Sequence, residues 1–284
     1  MQRGGEIIHG MPDAEYRKLA RLSKHDSDEY VRNPFAYFKR KETGYHREPT
    51  EAMKLGTALH MKVLEPELFE QTYVAVPESI KVRRGKEWDA FVEANEGKEC
   101  LRLSQYVQIS AMASALTNFE SNKPIFEATP REWREVVLLS ELLDVPIKSK
   151  VDMICPEKGI IVDVKTASDA SPEAFARQCA EFAYDVQAAW YAMNAEANGL
   201  NIEQICFFVV ENEFPYVTGT YTFSRHSPFV MAGEMEVKRR LSDYSLGMIL
   251  SDEETGWDVH DLELPSWCKR LKLYNESKQI YENH

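Results

Sequence analysis

Two runs of alternating residues on either side of a short turn constrain this chain more than any other feature. From Val145 to Ile154, Val145, Ile147, Ser149, Val151 and Met153 alternate with Pro146, Lys148, Lys150, Asp152 and Ile154. That is the period of a half-buried strand whose second face carries Lys148, Lys150 and Asp152. From Ile160 to Thr166, Ile160, Val162 and Val164 share one face, and Ile161, Asp163 and Lys165 share the other. Pro156-Glu157-Lys158-Gly159 between them is turn chemistry. A symmetric loop centred between Glu157 and Lys158 sets Cys155 against Ile160 and Asp152 directly opposite Asp163. Opposed residues share a sheet face, with Cβ atoms roughly 4.5–5.5 Å apart.

Two carboxylates at that spacing repel unless something cationic lies between them. A divalent ion held by both turns repulsion into shared attraction. Oxygen donors without clustered Cys or His suit Mg²⁺ or Mn²⁺ better than Zn²⁺. Lys165, two residues past Asp163, points to the same face and can reach a water or phosphate oxygen beside such an ion. The same three side chains on a solvated strand would be an ordinary ion-pair cluster, and spacing alone leaves both readings open.

Around this hairpin the pattern is mixed. Helical segments are expected from Tyr16 to Lys41, broken at Asn33-Pro34, and from Glu51 to Leu64, ending at Glu65-Pro66. Lys81 to Lys98 is a charged stretch. Ser104 is a plausible cap for a helix from Gln105 to about Asn118, with Val107, Met112 and Leu116 as its apolar residues. A strand from Glu135 to Leu139 precedes the hairpin. Ser171-Pro172-Glu173 starts a long helical region, bent near Ala183, that runs to Asn198-Gly199. Strands over Gln204–Val210 and Thr218–Ser224 follow, then a helix from Pro228 to about Met248 and an irregular tail. The order implies an α/β or α+β core, a central sheet flanked by helices, with a helical N-terminal extension. We expect one domain over residues 1–284: a mainly helical part (1–130), a sheet core (131–225), and a C-terminal helix with its tail (226–284).

Composition narrows the classes. At 44% apolar and 11% aromatic, 284 residues can bury a sizeable core. Cys100, Cys155, Cys179, Cys206 and Cys268 show no CxxC spacing, so no disulfide framework, zinc site or iron–sulfur cluster is indicated. No apolar run approaches the ~20 residues of a membrane span, and residues 1–12 lack an apolar signal core, which leads us to expect a cytoplasmic protein without membrane contact. No GxxxxGK[S/T] motif is present, so ATP use is not expected. The formal charge of −12 disfavours non-specific nucleic-acid binding. Charge is uneven, however: Tyr16 to Arg47 holds nine Lys or Arg against four Asp or Glu, and Lys81, Arg83, Arg84 and Lys86 cluster without an acid among them. A basic groove on an acidic body and plain solvated faces both fit this distribution.

Asp152 followed by Asp163-Val164-Lys165 resembles the D…(D/E)xK signature of the PD-(D/E)XK nuclease superfamily. Gly56-Thr57-Ala58-Leu59-His60 and Gln187-Ala188-Ala189-Trp190-Tyr191 resemble the GxxxH and QxxxY elements of its RecB-like branch. Within that branch the chain is most similar to the RecE (exonuclease VIII) type, with support from Asn33–Tyr37, Leu64-Glu65-Pro66 and Leu264–Trp267. The likeness runs from about Tyr16 to Trp267.

The resemblance implies that Asp152 and Asp163 are metal carboxylates, with the Val164 carbonyl and His60 as further ligands. Glu135 would be the acidic residue of the first motif, a place for which Glu132 competes. Lys165 would polarise the attacking water or stabilise the charged phosphate. Gln187 and Tyr191, four apart on one helical face, would border the site. It further implies a Mg²⁺-dependent exodeoxyribonuclease, with Mn²⁺ able to substitute, acting on double-stranded DNA ends. Digestion would run 5′→3′, leaving 3′ single strands for a RecT-like annealing protein of a phage or prophage recombination system, by a ring-shaped homo-oligomer. A single-strand or structure-selective nuclease of the same branch, or an inactive DNA-end binding protein, are the competing readings. Arg83, Arg84 and Lys86 could follow a DNA backbone, with Trp88 or Tyr106 stacking on bases, or simply form a solvated loop.

Overall fold

The computed structural model describes residues 5–45 and 48–247. The Leu264–Trp267 stretch lies outside these residues. The chain begins with a short strand, β1 (Glu6–Ile8), and the helices α1 (Asp13–Lys18), α2 (Lys24–Arg32) and α3 (Pro34–Thr43). One continuous segment from Tyr16 to Asn33 is not seen, because Ser23 and Asp26 form a reciprocal capping box that starts α2 afresh. Just before it, Leu22 is held by Ile147 through a parallel bridge. The side chain of Asn33 accepts from Ala36 N–H at 2.8 Å, and Pro34 opens α3, so Asn33-Pro34 ends one helix and begins the next.

Helices α4 (Glu51–Leu64) and α5 (Pro66–Thr72) meet at Glu65, where proline starts a new helix. Then come β2 (Tyr73–Val76), α6 (Lys86–Ala94), β3 (Glu99–Arg102), α7 (Leu103–Asn118) and α8 (Lys123–Ala128). Strands β2 and β3 pair as a small parallel sheet within this mainly helical part. Ser104 is not a cap: α7 already begins at Leu103, where Gln105 accepts from Arg102 N–H at 3.1 Å. Val107 is exposed, and Ile109, Met112 and Leu116 form the buried face.

The rest of the chain builds the main sheet: β4 (Arg134–Leu142), β5 (Val145–Cys155), β6 (Ile160–Ala167), α9 (Pro172–Glu181), α10 (Tyr184–Ala197), β7 (Gln204–Glu211), β8 (Thr218–Ser224) and α11 (Pro228–Gly247). Six strands lie in the order β1-β4-β5-β6-β7-β8. Only β6 and β7 run parallel, and α9 with α10 supplies the crossover that a parallel pair needs. The result is a mixed sheet flanked by helices. On one face, Trp190, Ala189 and Ala192 of α10 pack with Val237 and Leu241 of α11 and Phe175 of α9. On the other, Leu59 of α4, Met112 and Leu116 of α7, and Phe126 of α8 meet Val162, Val164 and Phe208.

With helices on both faces, β5 and β6 are central strands rather than the half-buried ones the alternation suggested. Lys148 is buried, and its ammonium donates to the Tyr16 and Leu19 carbonyls at 3.0 Å each. Asn194 pins α10 to the sheet: its amide nitrogen donates to Leu138 O (3.0 Å) and Ser149 Oγ (2.8 Å), and its oxygen accepts from Ser140 Oγ (2.7 Å). Gly233 lets α11 reach α10, since a Cβ there would fall 2.0 Å from Asp185 O. Among the described residues no helix is long and apolar enough to cross a membrane.

Candidate metal centre

The turn at Pro156–Lys158, closed by Gly159 in a left-handed conformation, sets the hairpin register. Cys155 pairs with Ile160, Ile154 with Ile161 and Met153 with Val162. The ladder ends there, so the expected direct pairing of Asp152 with Asp163 is not formed; instead Asp152 Oδ2 accepts the N–H of Val164, the residue after Asp163. On the other side of β5, Arg134 pairs with Met153 and Val136 with Val151, which leaves Glu135 opposite Asp152. Glu135 and Asp152 thus sit side by side on adjacent strands, and Asp163 follows on β6 just past the end of its ladder with β5.

At this row the strands change faces. Val151 and Val136 belong to the α10 core, whereas Met153 belongs to the α4–α7 core and Arg134 reaches Phe126 on that side. Val151 and Met153 therefore do not share a face as simple alternation requires. Glu135 carries the distortion, with φ of 53° in the left-handed region. For a residue with a Cβ that conformation costs roughly 1–2 kcal/mol.

His60 projects from α4 toward this row. One donor atom each from His60, Glu135 and Asp152 lies within 4.8 Å of the others. His60 Nδ1 is 3.3 Å from Asp152 Oδ2, and the same oxygen accepts the Val164 N–H at 2.7 Å. Lys150 Nζ lies 2.9 Å from Glu135 Oε2 and also pairs with Asp13. An imidazole and two carboxylates so close together fit a divalent cation that takes oxygen and nitrogen donors.

Asp163 is buried beside this group and faces a different set of partners. Its Oδ1 accepts from Gln187 Nε2 at 2.7 Å. Its Oδ2 is 2.6 Å from Lys165 Nζ, an ion pair whose angle leaves that buried oxygen without a proper hydrogen bond. Lys165 donates to Gln187 Oε1 at 2.9 Å and sits 4.4 Å from the centre of the Tyr184 ring. Gln187 Nε2 also lies 3.0 Å from the Tyr191 hydroxyl. The break at Phe182-Ala183, with Ala183 at φ 50°, starts α10 so that Tyr184, Gln187 and Tyr191 project from one helical face.

Burial and mutual repulsion set the charges. Burial works against a charged His60, but Asp152, Asp163 and Glu135 outweigh it and push its pKa up to about 9. Burial, with Asp152 adding to it, pushes Glu135 up to about 7 against the pull of Lys150. Burial likewise pushes Asp163 up to about 6, opposed by Lys165. Burial acts on Asp152 too, yet His60 and Lys165 hold it below the usual carboxylate range. Lys165 stays above its ordinary value despite burial, because Asp163 faces it. Burial and repulsion among these acids thus favour a bound cation or proton at the centre.

The structure brings together His60, Glu135, Asp152, Asp163, Lys165, Gln187 and Tyr191. Val164 contributes its N–H to Asp152. Glu132 lies in the turn before β4, apart from the carboxylate row. Asp163 turns to Lys165 and Gln187 instead of joining the close ligand group, a preference set by side-chain pairing that strand spacing does not reveal. Lys150 and Tyr184 carried no role in the sequence reading. Tyr184 was signalled by its spacing of three from Gln187, whereas the Lys150–Glu135 pair depends on the β4–β5 register. Arg83 lies 5.5 Å from the Trp88 ring and donates to Cys100 O, and the Tyr106 hydroxyl donates to Glu70.

A family model, the PDDEXK-like domain of unknown function (DUF3799), matches residues 29–252. The chain belongs to this PDDEXK-like family. No curated protein is significantly similar to it in sequence. Among solved structures it is similar to a crystal structure from Eubacterium rectale described as a "Putative exonuclease", at 14% identity and a TM-score of 0.54. That likeness covers 92% of this chain and 100% of the other, and it establishes a shared fold. PDDEXK-like membership supports a nuclease, and His60, Glu135 and Asp152 form a group that could hold a divalent ion.

Proposed function

We propose that the protein is a Mg²⁺-dependent exodeoxyribonuclease of the RecE-like type. It digests linear double-stranded DNA from 5′ ends and leaves 3′ single strands for an annealing partner in phage-type recombination. The observation that carries this reading is the meeting of His60, Glu135, Asp152, Asp163 and Lys165 on the row formed by β4, β5 and β6. A divalent cation bound there would lower the pKa of a water and neutralise charge on the scissile phosphate.

The chain's own residues do the rest. Asp152 is held as an anion by His60 and by the Val164 N–H, so one ligand oxygen is fixed before any substrate arrives. Gln187 holds Lys165 against Asp163, whose charge keeps the ammonium protonated at Nζ. From that position Nζ can donate to the attacking water or to a phosphate oxygen that gains charge as the reaction proceeds. In the hydrolysis a P–O bond to water forms, the bond to the departing 3′ oxygen breaks, and that oxygen takes up a proton. We assign the protein a ring-shaped assembly around DNA, in which topological closure offsets the weak surface affinity of an acidic chain.

The test is time-resolved digestion of a linear duplex labelled at one 5′ or one 3′ end, started with Mg²⁺ and compared with EDTA. Metal-dependent loss of the 5′ label first, abolished in Asp163→Ala and Lys165→Ala, is the expected result. Full activity in either folded variant removes the site assignment, and loss of the 3′ label first removes the polarity.

A further inference from the structure

The two elements that send His60 and Glu135 into the metal centre also send their near neighbours into a separate groove. Lys62, two residues after His60 on α4, and Arg134, just before Glu135 on β4, both line an open groove of about 390 Å³. Its wall on α7 presents Ser110, Ser114 and Thr117, and its floor includes Phe126. Those three hydroxyl residues are spaced four and three apart, so they form one ridge along the helix.

The charge in this groove is uncompensated at Arg134. Its guanidinium donates to Phe126 O at 3.1 Å and lies 5.8 Å from the Phe126 ring, but no carboxylate pairs with it among the described residues. Its Nε is buried and has no hydrogen-bond partner. The nearby acids are already used: Glu67 is 2.6 Å from Arg131, and Glu70 pairs with Lys62. A half-buried cation with an orphaned N–H beside a row of hydroxyls is chemistry for an anion that also accepts hydrogen bonds.

We propose that this groove between α4, α7 and α8 binds a backbone phosphate of the DNA strand that enters the metal centre. The inference rests on the nuclease reading and extends it. Arg134 supplies the charge, Ser110 and Ser114 the hydroxyl donors, and the β4 backbone between Arg134 and Glu135 links this contact to the catalytic row. Because the contact is to phosphate, it positions DNA without reading its sequence.

The test measures binding of a fluorescent linear duplex to the full chain, with Ca²⁺ replacing Mg²⁺, across a series of KCl concentrations. Arg134→Gln and, separately, Ser114→Glu are compared with wild type, and each variant's fold is checked by its thermal melt. Ser114 is exposed on α7, so that substitution keeps the fold even where Arg134→Gln loosens β4. Loss of one phosphate contact should lower the slope of log affinity against log salt by about 0.9 in Arg134→Gln. Ser114→Glu should weaken binding about fivefold or more at low salt, a cost of roughly 1 kcal/mol. Wild-type slope and affinity in both folded variants, with wild-type chain still cutting DNA in Mg²⁺, overturn the groove and leave the nuclease reading intact. A wild-type chain that neither binds nor cuts duplex overturns both.

Discussion

Gln187 Nε2 donates to Asp163 Oδ1 at 2.7 Å, joining the long crossover helix to a strand of the central sheet. The other end of the same amide accepts from Lys165, which places acid, lysine and glutamine in one closed set. A primary amide is suited to this place because it donates to an anion and accepts from a cation at once.

Replacing Gln187 with leucine keeps the volume and removes both bonds. Hydrogen bonds to charged groups are worth about 1.5–3 kcal/mol, so kcat at saturating Mg²⁺ and DNA should fall roughly 10- to 100-fold. Tyr191→Phe removes only the phenol at 3.0 Å from Gln187 and should cost a few-fold. Initial rates on end-labelled duplex check both, and unchanged rates in Gln187→Leu would show that Lys165 is held by other groups.

The metal-free protein should lose stability as pH rises. His60 at about 9, Glu135 at about 7 and Asp163 at about 6 each bind a proton more tightly in the fold than in the unfolded chain. Each contribution is fully present below the unfolded value and is lost as pH climbs through the folded one. Asp152, held low, acts in the opposite sense, and only in acid below the ordinary carboxylate range. Melting in EDTA should therefore give a higher Tm near pH ~5.5 than near pH ~8.5, and Mg²⁺ should narrow the gap from the alkaline side. A Tm in EDTA that climbs over that interval contradicts this proton economy.

Glu135 offers a test of strain at the metal row. In a normal strand, glycine is less stable than alanine by about 0.5–1 kcal/mol. At φ 53° the alanine carries the left-handed penalty of roughly 1–2 kcal/mol, and glycine escapes it. Glu135→Gly should therefore equal or exceed Glu135→Ala in stability by urea unfolding, while both lose metal-dependent protection. The usual order, with alanine clearly ahead, would mean that β4 relaxes once the carboxylate is removed.

Asn194 is the buried post between α10 and the sheet. Asn194→Ala strands Leu138 O, Ser140 Oγ and Ser149 Oγ in a dry interior. Chemical denaturation should report a loss of about 2–4 kcal/mol, from a few unpaired groups at ~1–3 kcal/mol each with partial relaxation. Because α10 also aims Gln187, cleavage should fall alongside stability.

Much of the sheet was legible from local chemistry. The register of β5 on β6 follows from Pro156–Gly159 and period-two alternation, since a turn of fixed length leaves no freedom to slide. The bend before α10 and the limits of β8 are equally local. The parallel β2–β3 pair was not legible, because its partners lie far apart and carry no turn between them. Nor was the change of face at Glu135 and Asp152, which alternation cannot anticipate.

Residue order alone put Asp152 and Asp163 on neighbouring strands of one hairpin, placed Lys165 on the side of Asp163 and put Gln187 in line with Tyr191, because strand and helix periods and turn length act over a few residues. Which of these groups touch was decided by the packed fold. His60 arrives from a helix on the opposite layer, Glu135 comes from a third strand through a left-handed residue, and Asp163 turns to Lys165 and Gln187. Those choices depend on burial and on charges brought close from distant parts of the chain, where a low local dielectric makes each pairing count.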